Sequence, residues 1–168
     1  MKSFSFAPIS KPDAVILILG TMPGTKSLEI QQYYGHPQNN FWRFMFEILN
    51  EDFSDNYEIK KNLLLKNKIA LWDVLQFCER IGSLDSAIKN EITNDFELFL
   101  KQHPGIKTIV FNGQKAAVFF KKYVPIKDGS YQLITLPSTS PANAGKSFEF
   151  KLNEWKIILQ SKINYSKV

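Results

Sequence analysis

The chain has 168 residues, 44% of them hydrophobic, with a formal net charge of +5, a length that fits one domain over residues 1–168 with a core needing no covalent staple. A single cysteine, Cys78, excludes an intrachain disulfide, and with only two histidines beside it a structural zinc site is not expected. No aliphatic run is long enough to cross a bilayer, and the opening MKSFSFAPIS lacks an apolar leader core, so a soluble, unsecreted protein of a reducing cytoplasm is expected. The positive charge is compatible with a polyanionic partner without requiring one. The pairs Lys60-Lys61 and Lys121-Lys122 read as solvated helix faces.

In chain order, Ala14 to Leu19 is β-branched and apolar on both faces, the pattern of a buried strand. Phe41, Phe44, Met45, Ile48 and Leu49 recur at one helical face. A second helix is predicted over Tyr57 to Lys66 with Ile59, Leu63 and Leu64 inward. KIALWDVL (68–75) reads as a second strand running into a loop. A short helix is predicted over 94–101 with Phe96, Phe99 and Leu100 on one side. IKTIVFNG (106–113) is a third strand, and Ala116, Phe119, Phe120 and Tyr123 mark the next helix. YQLITLPS (131–138) is a fourth strand, and Leu152, Trp155, Leu159 and Ile163 stripe a final helix.

Alternating strands and helices predict an α/β fold, a three-layer αβα sandwich around a central, mostly parallel four-stranded sheet. In such sheets ligands collect beyond the carboxyl ends of the strands. Four segments then converge on one edge: the loop after Leu19, Trp72-Asp73, Phe111-Asn112-Gly113 and LPSTSPANA (136–144). All four are polar or rich in glycine and proline where the strands stop.

Gly20-Thr21-Met22-Pro23-Gly24 is neither a Walker loop nor a dinucleotide fingerprint. Pro23 has no N–H, which makes the loop a poor phosphate cradle. Its glycines either allow a flat ligand close to the backbone or simply turn the chain. In QQYYGHPQNNFW (31–42), Asn40 fits the N-cap of the helix starting at Phe41 and Trp42 fits the core. Asn39 and Tyr34 are left without a packing reason. The hydroxyls of TLPSTSPANAGKSF suit phosphate oxygens beside the next helix start, or else form a rigid turn-rich linker.

These segments resemble the uracil-DNA glycosylase superfamily. Its mismatch-specific branch carries G-x-N-P-G and H-P-x-N-x-F-W, matched here by GTMPG and HPQNNFW. The hypoxanthine-DNA glycosylase branch is closer, matched by GTMPGTKSL, QYYGHPQNNFW, LWDVL, GSLDSAI and LPSTSPAN in the expected order. The resemblance covers most of the chain and implies a uracil-DNA glycosylase-like domain. It implies a monofunctional, metal-independent DNA glycosylase, with no cofactor, that flips a deaminated base out of double-stranded DNA and hydrolyses its glycosidic bond in base excision repair. Hypoxanthine is the expected base, and a monomer at the nucleoid is the expected state. Met22 stands where the mismatch branch has a water-positioning asparagine, and a thioether cannot orient water. The resemblance therefore assigns catalysis to Asn39. Substrate contacts are expected from Gly20, Thr21, Met22, Tyr34, His36, Asp73, Asn112 and Ser138, with Tyr34 as the stacking face and Asp73 and Asn112 at the base edge. Phosphate contacts are expected from Lys26, Ser138, Thr139, Ser140 and Lys146. The mismatch branch's glycine–leucine wedge is missing, since Thr139-Ser140-Pro141 stands there. Three other readings stay open: a mismatch-specific uracil or thymine glycosylase, a domain that binds DNA or nucleobases without chemistry, and an unrelated phosphate-ester hydrolase.

Overall fold

The structure, a computed structural model, describes residues 1–165, with side chains described through residue 161. Its centre is a four-stranded, all-parallel sheet. The strands are β2 (Ile16–Gly20), β3 (Ile69–Asp73), β6 (Thr108–Asn112) and β7 (Gln132–Leu136), in the order β3-β2-β6-β7. Every residue of β2, β3 and β6 is buried, which is why these strands read as continuous apolar runs. β7 is the edge strand, and three of its five residues are exposed.

Aromatic contacts sort the helices into two layers. α4 (Phe96–Gln102) and α5 (Gln114–Tyr123) share one face, where Phe96 meets Trp72 of β3 and Phe120 of α5, and Phe120 in turn meets Phe111 of β6. On the other face α2 (Phe41–Ile48) packs on α3 (Tyr57–Lys66) and on α6 (Phe148–Trp155). There Trp155 is fully buried between Phe41 and Phe44. Removing such a side chain costs about 3–5 kcal/mol. Its indole N–H also donates to the Pro137 carbonyl at 2.9 Å, so core packing holds the start of the loop that follows β7.

A second, three-stranded antiparallel sheet lies apart from the first, formed by β1 (Lys2–Phe4), β4 (Leu75–Glu79) and β5 (Lys89–Thr93) in the order β1-β4-β5. The expected strand over 68–75, running into a loop, instead ends at Asp73, and Leu75 opens a strand of this unexpected sheet. Its strands are short and half exposed, so they lack the apolar runs of the main sheet.

Two helices also differ in detail. In α3, Leu63 and Leu64 are buried as expected, but Ile59 is half exposed and Lys60 takes the inward position. The Lys60 ammonium reaches Asp55 at 3.2 Å while its stem lies against Trp42 and Phe53. The predicted final helix is two helices, α6 and α7 (Ile157–Tyr165), so the stripe breaks and Ile158 is buried where Leu159 was expected. The Ile163 side chain lies outside the described residues. Among the described residues no helix is long and apolar enough to cross a membrane.

Candidate active site

The chain leaves β2 toward β3 on one side, whereas β6 continues to β7 on the other. The crevice where strand order reverses therefore opens at the ends of β2 and β6, the place where open α/β sheets bind ligands. A cavity of about 490 Å³ lies there. Gly20, Thr21, Met22, Tyr34, His36, Asn39, Asp73, Asn112, Ser138 and Ser140 all line it, as does Lys26 at its edge. Residues spread over 120 positions of sequence thus meet at one place.

Close packing at the floor requires a glycine at position 20. A Cβ there would stand 2.6 Å from Asp73 Oδ1 and 2.9 Å from the Tyr34 hydroxyl. The loop is then stitched to the β3–β4 junction, since Val74 N–H donates to the Gly20 carbonyl and Leu75 N–H to that of Thr21. Tyr34 adopts a left-handed backbone (φ 54°), a conformation that is rare for a bulky residue and tends to persist at functional sites. One face of its ring is stacked on Phe41 at a centroid distance of 4.1 Å, so the opposite face and the hydroxyl edge are what it can offer a ligand.

Two polar atoms at the floor are buried without a hydrogen-bond partner, Asp73 Oδ2 and the Tyr34 hydroxyl. Unpartnered buried polar atoms are uncommon and call for a reason. Burial pushes the Asp73 carboxyl up to about 8 from its ordinary 3.8; Asp85 adds to the rise and Arg80 opposes it. At neutral pH Asp73 is therefore mostly a neutral acid, with one O–H donor and one carbonyl acceptor. Burial, and then Asp73, hold the Tyr34 phenol well above its usual range.

The capping roles around Asn39 differ from the expected ones. The Asn40 side chain makes no cap bond, and its Oδ1 accepts instead from Arg43. Asn40 already has near-helical torsions (φ −89°, ψ 1°), so it is the Asn39 Oδ1 that accepts from the Phe41 N–H, at 3.0 Å. This bond fixes the amide plane of Asn39. One Oδ1 lone pair and the Nδ2 group remain for the cavity. Asn39 N–H donates to the His36 carbonyl, and Asn40 N–H to that of Thr139, which ties the loop to the one after β7. His36 is exposed, and its Nδ1 accepts from Gln38 N–H at 3.1 Å; in the neutral ring this leaves the N–H on Nε2.

Asn112 and Thr139 also act as scaffolding. Asn112 donates from Nδ2 to the Thr139 hydroxyl and accepts at Oδ1 from the Thr139 N–H, both at 2.9 Å. Thr139 is only 1% exposed, so its hydroxyl faces inward and not toward a phosphate. Asn112 thereby braces the loop, and it also lines the cavity. The Ser138 and Ser140 hydroxyls accept from the N–H groups of Ser140 and Ala142, shaping the turn, and both residues remain on the cavity wall. Gly113, at φ 94°, passes under Ser138, whose Cβ lies 3.1 Å from where its own would be. Lys146 sits over the Phe150 ring and is not among the residues that line the cavity. Lys26 is exposed and pairs with Glu29 at 3.3 Å.

One wall comes from GSLDSAI, a stretch to which the family resemblance gave no role. Ser83, Leu84 and Asp85, from the loop between β4 and β5, line the cavity. Arg80, 3% exposed, holds that wall together: its guanidinium donates to the Pro23 carbonyl, to Ser83 O at 3.4 Å and to Asp85 at 3.5 Å. Ser83 Oγ accepts from the Thr25 N–H at 2.8 Å and donates to the Thr25 hydroxyl at 2.9 Å. The available signal was composition, because Arg80 is one of two arginines in a chain with 19 lysines, and a forked donor suits a buried multi-carbonyl contact where a lysine does not.

Comparison with known proteins agrees with this architecture. The sequence profile described as "Uracil DNA glycosylase superfamily" matches residues 7–159. Two proteins named "Hypoxanthine DNA glycosylase", from Methanosarcina barkeri and Methanosarcina acetivorans, are 39% and 38% identical to this chain over 157 residues, covering 92% of it and 96% of each of them. A Methanosarcina acetivorans protein solved by solution NMR superimposes with a TM-score of 0.83 at 36% identity, over 96% of this chain and 99% of that one. Alike in sequence and in fold along nearly its whole length, the chain belongs to the uracil DNA glycosylase superfamily.

Proposed function

We propose that this chain is a DNA glycosylase of base excision repair that extrudes hypoxanthine from double-stranded DNA and hydrolyses its N-glycosidic bond. The observation that carries the reading is the floor of the cavity. There Asp73 and Tyr34, each with a buried polar atom that has no hydrogen-bond partner, line the same cavity as Asn39 with its oriented amide. The two relatives named for hypoxanthine cleavage support the choice of base.

Extrusion comes first. Unstacking costs roughly a few kcal/mol, and less for a mispaired base. Inosine opposite thymine pairs poorly, which favours a deaminated adenine over the parent base. The flipped purine lies with its edge on Asp73. A neutral carboxyl donates its O–H to O6 and accepts from N1–H, matching the lactam edge on both atoms. The Tyr34 hydroxyl lies close enough to serve the same edge, and the backbone at Gly20–Met22 closes against the base.

The bond from C1′ to the base then breaks, with its electron pair leaving on the base. Donors aimed at the base stabilise that charge, and losing one donor of this type costs about 10²–10³ in rate. The Asn39 Oδ1 holds a water against the oxocarbenium-like sugar. Water oxygen bonds to C1′ and releases a proton as the base takes one up. An asparagine is a weak base, but a nearly formed cation needs a placed water more than a deprotonated one. Thr21, Met22, Ser138 and Ser140 shape the slot and its mouth, and Lys26 adds positive charge beside the phosphates.

The test is single-turnover cleavage of duplexes that each carry one hypoxanthine, uracil or xanthine. Product is expected from hypoxanthine, and Asn39→Ala should lower the rate about 10²-fold or more while DNA affinity and melting temperature hold. Binding without cleavage of any lesion by the wild-type chain would favour a domain that keeps the pocket without the chemistry, the reading that Met22 in place of an asparagine supports. Cleavage of uracil alone would overturn the choice of base.

A further inference from the structure

Extruding a base leaves a hole in the stack, and proteins that distort DNA commonly fill such openings with an apolar side chain. In this cavity the loop after β7 has nothing long enough. It presents Thr139, which is buried, then Ser140, Pro141, Ala142 and Asn143. Met22 and Tyr33 also line the cavity but are buried in its wall. Across the mouth stands Leu84, 58% exposed, the only long aliphatic side chain on the rim that is open to solvent among the described residues. Ile81, 85% exposed, adds a second apolar side chain to the same loop.

The loop that carries Leu84 is braced. Ser83, its neighbour, is tied to Thr25 by two hydrogen bonds, and the Ser83 carbonyl receives the guanidinium of buried Arg80. On the other side Asp85–Ala87 form a turn of 3-10 helix, with Ala87 N–H returning to the Leu84 carbonyl. A side chain held out in this way keeps its apolar surface in water, and burying it against unstacked base pairs is favourable. A tip pinned on both sides also loses little freedom when it inserts.

We propose that Leu84, from the β4–β5 loop, is the wedge that enters the DNA stack and fills the gap left by the extruded base. The proposal rests on the glycosylase reading, but it places gap filling on the small antiparallel sheet and not on the loop after β7.

The experiment compares wild type, Leu84→Ala and Leu84→Met on two substrates, a duplex and a single strand carrying the same hypoxanthine. Leu84→Ala should cleave the duplex about 10- to 100-fold more slowly while cleaving the single strand at the wild-type rate, because a single strand has no gap to hold open. Leu84→Met, apolar and of similar length, should restore duplex cleavage. Equal rates for all three proteins on the duplex, or equal losses on both substrates, would overturn the wedge. A second readout does not depend on cleavage: a duplex with one abasic site opposite 2-aminopurine. Wild type should bind it and change the fluorescence, and Leu84→Ala should bind with a smaller change. If wild type cleaves neither hypoxanthine substrate, the glycosylase reading fails and the abasic duplex alone decides the wedge. Identical fluorescence for the two proteins, or no binding by wild type, overturns it.

Discussion

The two sheets divide the work of building the cavity. The parallel sheet is sealed: β2, β3 and β6 are buried along their whole length, and the floor atoms of Gly20, Asp73 and Asn112 sit at their ends. The antiparallel sheet is open to solvent, with Phe4 63% and Ile92 55% exposed, yet it carries the rim that runs from Arg80 to Asp85. A floor on rigid strands suits the recognition of one planar base, where displacements of a fraction of an ångström matter. A rim on a small, braced loop suits contact with a polymer of variable shape. The shared element is the Gly20–Gly24 loop, which is fixed by the β3–β4 junction on one side and by Arg80 on the other.

The largest expected effect falls on the floor. Gly20→Ala drives a methyl group into Asp73 and Tyr34, and a shift of about 1 Å at the reacting base should lower the cleavage rate about 10²-fold. Single-turnover kinetics beside a melting curve would separate this from loss of fold. Second is the rim. Arg80→Met removes three acceptor contacts, the ion pair with Asp85 among them. It should destabilise the chain by about 2–3 kcal/mol in urea unfolding, and hydrogen exchange should rise first in the 80–88 loop and the 20–25 loop.

Third, Asp73 links floor chemistry to pH. Its proton is held more tightly folded (about 8) than unfolded (3.8). The stability it contributes is therefore fully present below pH 4 and is lost as pH rises through about 8. Asp73→Asn should flatten that loss in unfolding curves measured from pH 4 to 9. The same substitution keeps a donor and an acceptor at the base edge, so it should retain much of the activity while removing a fall in rate above pH 8, where a carboxylate would repel the departing base. The smallest effect belongs to the rim charges. Lys26→Ala should weaken binding to any duplex a few-fold and reduce the salt slope by about 0.9, whereas Lys146→Ala, whose ammonium rests on Phe150 outside the cavity, should leave the slope unchanged.

The contrast between the sheets also explains what was legible in the chain. Continuous apolar runs such as Ile16–Leu19 and Ile109–Phe111 mark strands buried on both faces, and polar or glycine-rich residues directly after them mark the ligand edge. That placed Gly20, Asp73, Asn112 and Ser138 on one edge before any coordinates, while Asn39 came from the family motif and Tyr34 from lacking a packing reason. The antiparallel strands are three to five residues long with mixed burial, too short to stand out, so Arg80 went unseen with them, and Ser83 and Leu84 stood only in a family motif without a role.

Local pattern thus determined the α/β architecture, the family and the loops that meet, because those depend on periodicity and on motifs that are continuous in sequence. Tertiary structure alone decided how each polar group is held: that Asn39 accepts from Phe41 N–H yet lines the cavity, that Asn112 braces Thr139, and that burial pushes the Asp73 carboxyl up. The Asn112–Thr139 pair spans 27 positions, and although the Asn39–Phe41 bond is local, the cavity that Asn39 lines is built from distant loops, which no local spacing encodes.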